Sequence, residues 1–541
     1  MSLRQLAAFA LSSALFAVVL SGPLRADTAP VAVPDTSSIY EYIRSHIDPA
    51  SGALSADAMT LPDEPAARRF SRLRWVPGSL EGLGTRHMHW DGSEKASRAT
   101  RLIELIAAGN VAAEPVLYEL LRTDDVVTFY SGTLDLASAM VRDVEPELHD
   151  MARRLATTSH DRGPVKFAIA MLGSIADERD LAIVQTLALH DEFGLYAAQA
   201  IAEMAPDRQA ALFDMARKVT GWGRIEAVAE MVATSNPDLR RWLLTEGFRN
   251  TVNPQYLAYQ CSTIANLAGA LADSPPGAKA DLPLLTGAAD LIQALIKPGP
   301  APGFDNYSDA AAASQSFLRL VQKRRDSVSF FLAASALQDY AATRADASAD
   351  ANSTAVKWQP EEQREVASLA ANVVDDSSWR RRVVAAVSED DANLDQAAAA
   401  AQKLKVDTFE LHLKRLARNP ANPRRWALAF AGADSTKAAR LVVVAQKAFG
   451  AKGKTRADGA LEAVLQGVSA YPGAGLSIVE ASLADEDEGV RRAAVETLVR
   501  WGGPYLRDAT VRTALNEAAR GEEDEALKAR MVALLNLGSL P

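Results

Sequence analysis

The one clustered set of metal-binding side chains in the sequence is His87-x-His89-x-Asp91. On an extended chain alternate residues point the same way, so two imidazoles and a carboxylate can meet on one ion. His46 and Glu81 can add ligands from the same region. A surface or packing role beside Trp90 is the simpler reading, because the stretch carries no second ligand motif. Gly450-Ala451-Lys452-Gly453-Lys454-Thr455 has the composition of a phosphate-binding loop, but that motif needs a glycine five residues before its second one. Ala448 stands there instead, and the apolar Leu441–Val444 does not run directly into the loop. A Lys-rich turn between helices is the expected structure. The single cysteine, Cys261, excludes an internal disulfide; beside Ser262 and Ile264 in a helical pattern it reads as a buried, inert thiol. No Gly-x-Ser-x-Gly elbow, His-Glu-x-x-His helix or paired-cysteine site occurs. No catalytic, cofactor-binding or metal residue is therefore assigned, no cofactor is expected, and a non-enzymatic role is preferred.

Helices must position whatever these groups do. Hydrophobic residues make up 48% of the 541 but aromatic ones only 6%, so alanine and leucine carry the apolar share. Small residues of high helix propensity suit closely packed helices, and runs of Val, Ile, Thr and Tyr that would mark strands are scarce. The class is all-α. The net charge is −10; residues 1–26 hold Arg4, Arg25 and no acid, so without them it becomes −12, from −10 minus 2. Such a balance disfavours nucleic acid and anionic lipid as general partners. Arg4, the apolar run Leu6–Leu20 and Ser21-Gly22-Pro23-Leu24-Arg25-Ala26 have the form of a secretory signal peptide. The run is shorter than the ~20 residues of a spanning helix. Export to the periplasm or beyond follows as the expectation, with no integral membrane segment after cleavage. Leu24, bulky at the third position before the cut, leaves an uncleaved anchor as the alternative.

In chain order, residues 27–96 form an N-terminal cap segment: a Pro/Ala/Ser-rich lead-in, a short helix at Ile39–Ile47 capped by Ser37 or Ser38, then an irregular stretch rich in glycine. Trp75, Leu80, Leu83 and Trp90 within it argue against disorder and predict that it folds over the first helices. Residues 97–272 read as a first helical array, 273–316 as a Pro/Gly-rich linker with one short helix at Leu282–Ile296, and 317–541 as a second array. In the first array Val165–Ile175, Leu195–Met204 and Arg224–Val232 repeat at shifts of 27–29, and the turns between them end in an acid that favours the next helix N-terminus. In the second, residues 483–498 reappear at 520–535, a shift of 37: Val490 meets Leu527, Arg491 meets Lys528, Val495 meets Val532 and Leu498 meets Leu535.

Acid, turn, Val-Arg-x-x-Ala, leucine and a closing glycine, best seen from Asp485 to Gly502 and again from Glu522 to Gly538, resemble HEAT repeats. Residues 165–247 resemble the shorter repeat of phycobilin-lyase-like HEAT proteins. Periods near 30 and 37 lie at or below the usual ~40–47. The resemblance implies an α-solenoid of stacked antiparallel helix pairs and no chromophore chemistry. Arginine pairs (Arg240-Arg241, Arg380-Arg381, Arg424-Arg425, Arg491-Arg492) are read as a ladder to acids of neighbouring units, with Asp238, Asp376 and Asp487 close in sequence, rather than as a basic stripe. Trp222, Trp242, Trp379, Trp426 and Trp501 are read as packing residues at unit ends. The expected function is an exported scaffold holding a protein or peptide partner on a solenoid face. The alternative is a metal-dependent enzyme or metal-binding factor built on His87, His89 and Asp91.

Overall fold

The computed structural model describes residues 37–64, 76–140, 146–275, 281–347, 358–450 and 459–537; residues 1–26, Trp75 and most of the 450–455 loop lie outside them. These residues form 29 α-helices, with 73% helix and no strand among them. One isolated bridge, Ile47 to Leu54, is the sole extended pairing described. The chain is all-α, its helices packed in adjacent pairs. No helix among the described residues is long and apolar enough to cross a membrane.

The described residues divide into two compact units, one of 37–324 with 333–371 and the other of 325–332 with 372–537. The division thus falls outside 273–316. The helix expected at Leu282–Ile296 has those bounds, but it buries Leu285, Ala288, Ala289, Leu291, Ile292 and Leu295 and so belongs to the core of its unit.

In the first unit the helices that matter below are α1 (Ile39–Ser45), α2 (Ser79–His87), α3 (Ser93–Ala107), α4 (Ala113–Thr123), α5 (Tyr130–Met140), α6 (Pro146–Thr158), α7 (Arg162–Ile175), α8 (Leu181–Leu187), α9 (Gly194–Met204), α10 (Arg208–Lys218) and α11 (Trp222–Ala229). Turn chemistry sets their starts. Ser38 accepts from the Glu41 N–H and caps α1, Asp207 accepts from Ala210 to cap α10, and Asn236 caps Pro237–Trp242 through the N–H groups of Asp238 and Leu239. Each satisfies donors that a helix leaves unpaired in its first turn. Helices α7, α9 and α11 lie side by side, and small residues let them approach. A Cβ on Gly194 would stand 2.6 Å from the Gly223 Cα, and one on Gly173 would stand 2.8 Å from the Ala200 Cα. Hence α7 buries 11 of its 14 residues and α9 buries nine of its 11. The alanine-rich composition serves this spacing.

The second unit has its own core, including Leu416, Trp426, Leu441, Val464, Val479, Val495, Leu498, Leu515 and Met531. The duplicated stretches form the helices Glu488–Trp501 and Glu525–Leu537. Asp487 accepts from the Val490 N–H at 3.1 Å, and Asp524 accepts from Leu527 at 2.6 Å, so both acidic clusters act as N-caps. Leu441–Val444 lies inside the helix Ser435–Phe449 rather than on a strand, which removes the local structure a phosphate loop requires.

Candidate functional site

The most concentrated chemistry in the first unit is a buried charge network where the N-terminal segment crosses the stacked helices. Lys166 on α7 donates from Nζ to Glu81 Oε1 of α2 and to Glu192 Oε1, both at 2.6 Å. The side chains of Lys166, Glu81 and Glu192 are 7%, 4% and 11% exposed. Two carboxylates share one ammonium, so one of them lacks a full countercharge. Arg162 decides which: its guanidinium lies 3.5 Å from Glu192. Burial pushes both carboxyls up, but Lys166 and Arg162 together hold Glu192 at about 2. Glu81 stays raised by burial, with Lys166 opposing and Glu192 reinforcing the shift. Burial disfavours the Lys166 ammonium, yet Glu192 and Glu81 raise it above its usual range. A lysine so held is a cation and not a nucleophile.

The network continues in both directions. Arg162 also grips Asp63, through Nε at 2.9 Å and NH2 at 2.8 Å, and Glu64 at 2.8 Å. At the far end of α2, Arg86 makes a bidentate pair with Glu226 of α11 at 2.6 and 2.9 Å, and its guanidinium lies 5.7 Å from the centre of the Trp222 ring. Trp222 Nε1 donates to Ser79 Oγ at 2.9 Å. The Gly78 N–H donates to Glu192 Oε2 at 3.3 Å. Gly78 has φ 75, and a Cβ there would stand 2.4 Å from the Asp191 carbonyl oxygen; on Gly82 it would stand 1.9 Å from the Trp222 ring. Glycine is thus required twice where the segment meets the stack.

Beneath this lies Asp191, whose Oδ1 accepts from the Gly223 N–H at 2.8 Å at the start of α11. Burial pushes its carboxyl up to about 6 against the hydrogen bonds from Gly223 and Gly221. Burial drives the neighbouring His190 down to about 4; its Nε2 faces the Met59 carbonyl at 3.3 Å.

The segment therefore runs along successive stacked helices. Ser38 Oγ donates to the Thr157 carbonyl of α6, Asp63 holds Arg162 of α7, Glu81 holds Lys166, and Arg86 holds Glu226 of α11. The sequence reading placed this segment over the first helices and left residues 48–95 irregular. The structure corrects the second point: the stretch contains α2, which packs on Val126–Thr128 as well as on α11, while Ser38 and Asp63 reach α6 and α7. Three glycines at 78, 82 and 84 hide that helix from propensity, because contact with Trp222 and Trp90 rather than intrinsic preference sets their positions.

No family model, curated protein or solved structure matches this chain. Residue geometry alone bears on the site.

The structure does not bring the candidate metal triplet of the alternative reading together. His87 ends α2 with Nε2 at 3.2 Å from Tyr256 Oη, and Asp91 Oδ1 accepts from Ser93 Oγ at 2.8 Å. His87, His89 and Asp91 are all exposed. The suggested extra ligands are engaged elsewhere, His46 Nδ1 at 2.7 Å from the Tyr42 carbonyl and Glu81 with Lys166. Among the described residues the one grouping of metal-ligand type is His149, Asp177 and Asp180, with ligand atoms within 4.8 Å of one another. Arg153 Nε lies 3.0 Å from Asp180, and Arg179 grips Asp177. Those guanidinium groups already balance the carboxylates, so the cluster is an ion-pair junction between helices. Cys261 is buried and in no disulfide, and burial pushes its thiol up.

Three of the four arginine pairs find acids, mostly ones distant in sequence, although Arg492 pairs with Glu488 of its own turn. Arg241 pairs with Asp281, Arg424 with Asp395, Arg425 with Asp391 at 3.0 Å through Nε, and Arg491 with Glu522 at 2.8 Å. Asp487 instead caps a helix, and Asp376 pairs with Arg325. Trp379, Trp426 and Trp501 are buried and donate to carbonyls of Val373, Pro420 and Val468. Trp242 is half-buried beside Phe213, whereas Trp222 binds the N-terminal segment.

Proposed function

We propose that this chain is an exported, HEAT-like scaffold that holds a protein partner on a face of its stacked helices and performs no chemistry of its own. The observation that supports this reading is the docking of residues 76–90. A chain segment is held across stacked helices by side-chain pairs, Glu81 with Lys166 and Arg86 with Glu226, and by the fit of Gly82 to Trp222. A face that reads a segment of this chain through charge sign and residue size has the properties of a peptide-recognition surface. Helical-repeat stacks present such faces over long distances, because each unit contacts its neighbours and leaves its flanks free. Export rests on the apolar run and small-residue exit at residues 6–26.

The test is crosslinking of the native protein in intact cells, followed by identification of what is captured. The reading expects a discrete protein in stoichiometric yield from the exported fraction. Recovery of the protein with no crosslinked partner, or from the cytoplasm alone, counts against it.

A further inference from the structure

Helix α2 is bound as a ligand is bound rather than packed as a core element. Its buried residues are Ser79, Glu81, Gly82 and Gly84, while Leu80 and Leu83 are half-buried. Charge pairs and close approach hold it more than apolar burial does. Two interior glycines each cost a helix about 1 kcal/mol relative to alanine, and an isolated helix of this length is marginal in water in any case. So α2 is helical because it is docked. The surface beneath it has a defined polarity: Lys166 presents a cation, Glu226 an anion, and the Trp222 ring lies between α2's glycine and Arg86. The same surface carries Glu192, which already neutralises much of Lys166, so the acid from α2 is the second of two claimants. That arrangement weakens the hold of α2 without removing the specificity of its site.

We propose that the surface under α2 is the partner-binding surface of the first unit, with α2 as its resident competitor. The partner then presents a short helix of the same chemistry: a carboxylate for Lys166, a glycine next to it against Trp222, and a guanidinium for Glu226 five residues after the carboxylate. Partner binding and release of residues 76–90 are one exchange, and the free protein is held closed by its own segment. This deepens the scaffold reading and rests on it.

The experiment uses the full chain and a fluorescein-labelled peptide of residues 76–90 as the probe. Two variants loosen α2 and leave its surface native: Glu81→Lys with Arg86→Glu, and Gly82→Val. Each is checked for wild-type helical circular dichroism and a cooperative melt. The proposal expects both to bind the peptide at least about tenfold more tightly than wild type, a difference of about 1.4 kcal/mol. Adding Lys166→Glu to the Gly82→Val variant then abolishes binding, and a peptide carrying Glu81→Lys restores it. Folded variants that bind no better than wild type overturn the proposal, and so do variants that cannot fold, since α2 is then part of the fold and not a competitor. Concentration-dependent dimers that compete with the peptide overturn it in favour of a second copy of this chain. The two readings fail separately. Peptide exchange with no protein captured in cells defeats the scaffold alone, whereas capture unaffected by loosening α2, with no peptide binding, defeats this proposal alone.

Discussion

At the scale of single residues, Asp191 and His190 make opposed statements about pH. The Asp191 carboxyl is raised to about 6 from 3.8, so its stabilising contribution is complete below 3.8 and lost as pH rises through 6. His190 is lowered to about 4 from 6.5, so its contribution is present above 6.5 and lost as pH falls toward 4. Between these values the two largely offset. Asp191→Asn keeps an acceptor for the Gly223 N–H and removes the buried charge. It should raise stability at pH 7 by about 1–3 kcal/mol and steepen the loss between pH 6.5 and 4. Urea denaturation across that range measures both effects, and an unchanged slope would show that His190 does not titrate as its burial implies. A second residue-scale prediction concerns the triplet. His87 and His89 are exposed, so changing both to alanine should alter stability by less than about 0.5 kcal/mol. Stoichiometric metal in the purified protein that is lost in this variant would revive the metal-dependent alternative. Neither Asp191 nor Lys166 stood out in the sequence. Their partners lie 32 and 85 residues away, and an isolated Asp or Lys carries no mark of burial. Glu81 did stand out, but as a candidate metal ligand, because sequence shows the carboxylate and not the ammonium that meets it.

At the scale of elements, local chemistry was the legible part. The helix at Leu282–Ile296 and the cap Ser38 lie where periodicity and turn residues place them, whereas the cap before Pro237 is Asn236 rather than the acid that ends its turn. Helix α2 was not legible, since its glycines answer to tryptophans outside its own window. The duplicated unit shows the same divide. The arginine-to-acid ladder was legible but its members were not: Asp487, read as a ladder acid, caps a helix, and the partner of Arg491 is Glu522, 31 residues on, with its side chain fully buried. Two substitutions separate cap from ladder. Asp487→Ala removes the acceptor for the Val490 N–H and should cost about 0.5–2 kcal/mol. Arg491→Ala strands Glu522 and should cost about 1–3 kcal/mol. In a double-mutant cycle Arg491 should couple strongly to Glu522 and weakly to Asp487; equal coupling would mean that the acidic cluster acts as one diffuse charge.

At the scale of the whole molecule, the repeat pattern foretold stacking but not how far burial varies along a stack. Corresponding positions in the duplicated unit show the variation. Val495 is fully buried, whereas its counterpart Val532 is 44% exposed. The helix Glu488–Trp501 packs against Ala460–Val468 as well as Glu525–Leu537, while the latter packs on Glu488–Trp501 and Ala509–Gly521. Similar patterning gives unequal burial because a side chain's worth depends on which helices pack over it. The consequence is local stability that grades along each unit rather than holding one value. Helix α7 buries 11 of its 14 residues, and Glu525–Leu537 buries three of its 13. At a pH where exchange reports opening free energy, amides of α7 and α9 should be the slowest, and those of Glu525–Leu537 should exchange faster by two or more orders of magnitude, a gap of about 3 kcal/mol. Equal protection of α7 and Glu525–Leu537 would mean that each unit opens only as a whole, and nearest-neighbour burial would then not set its stability.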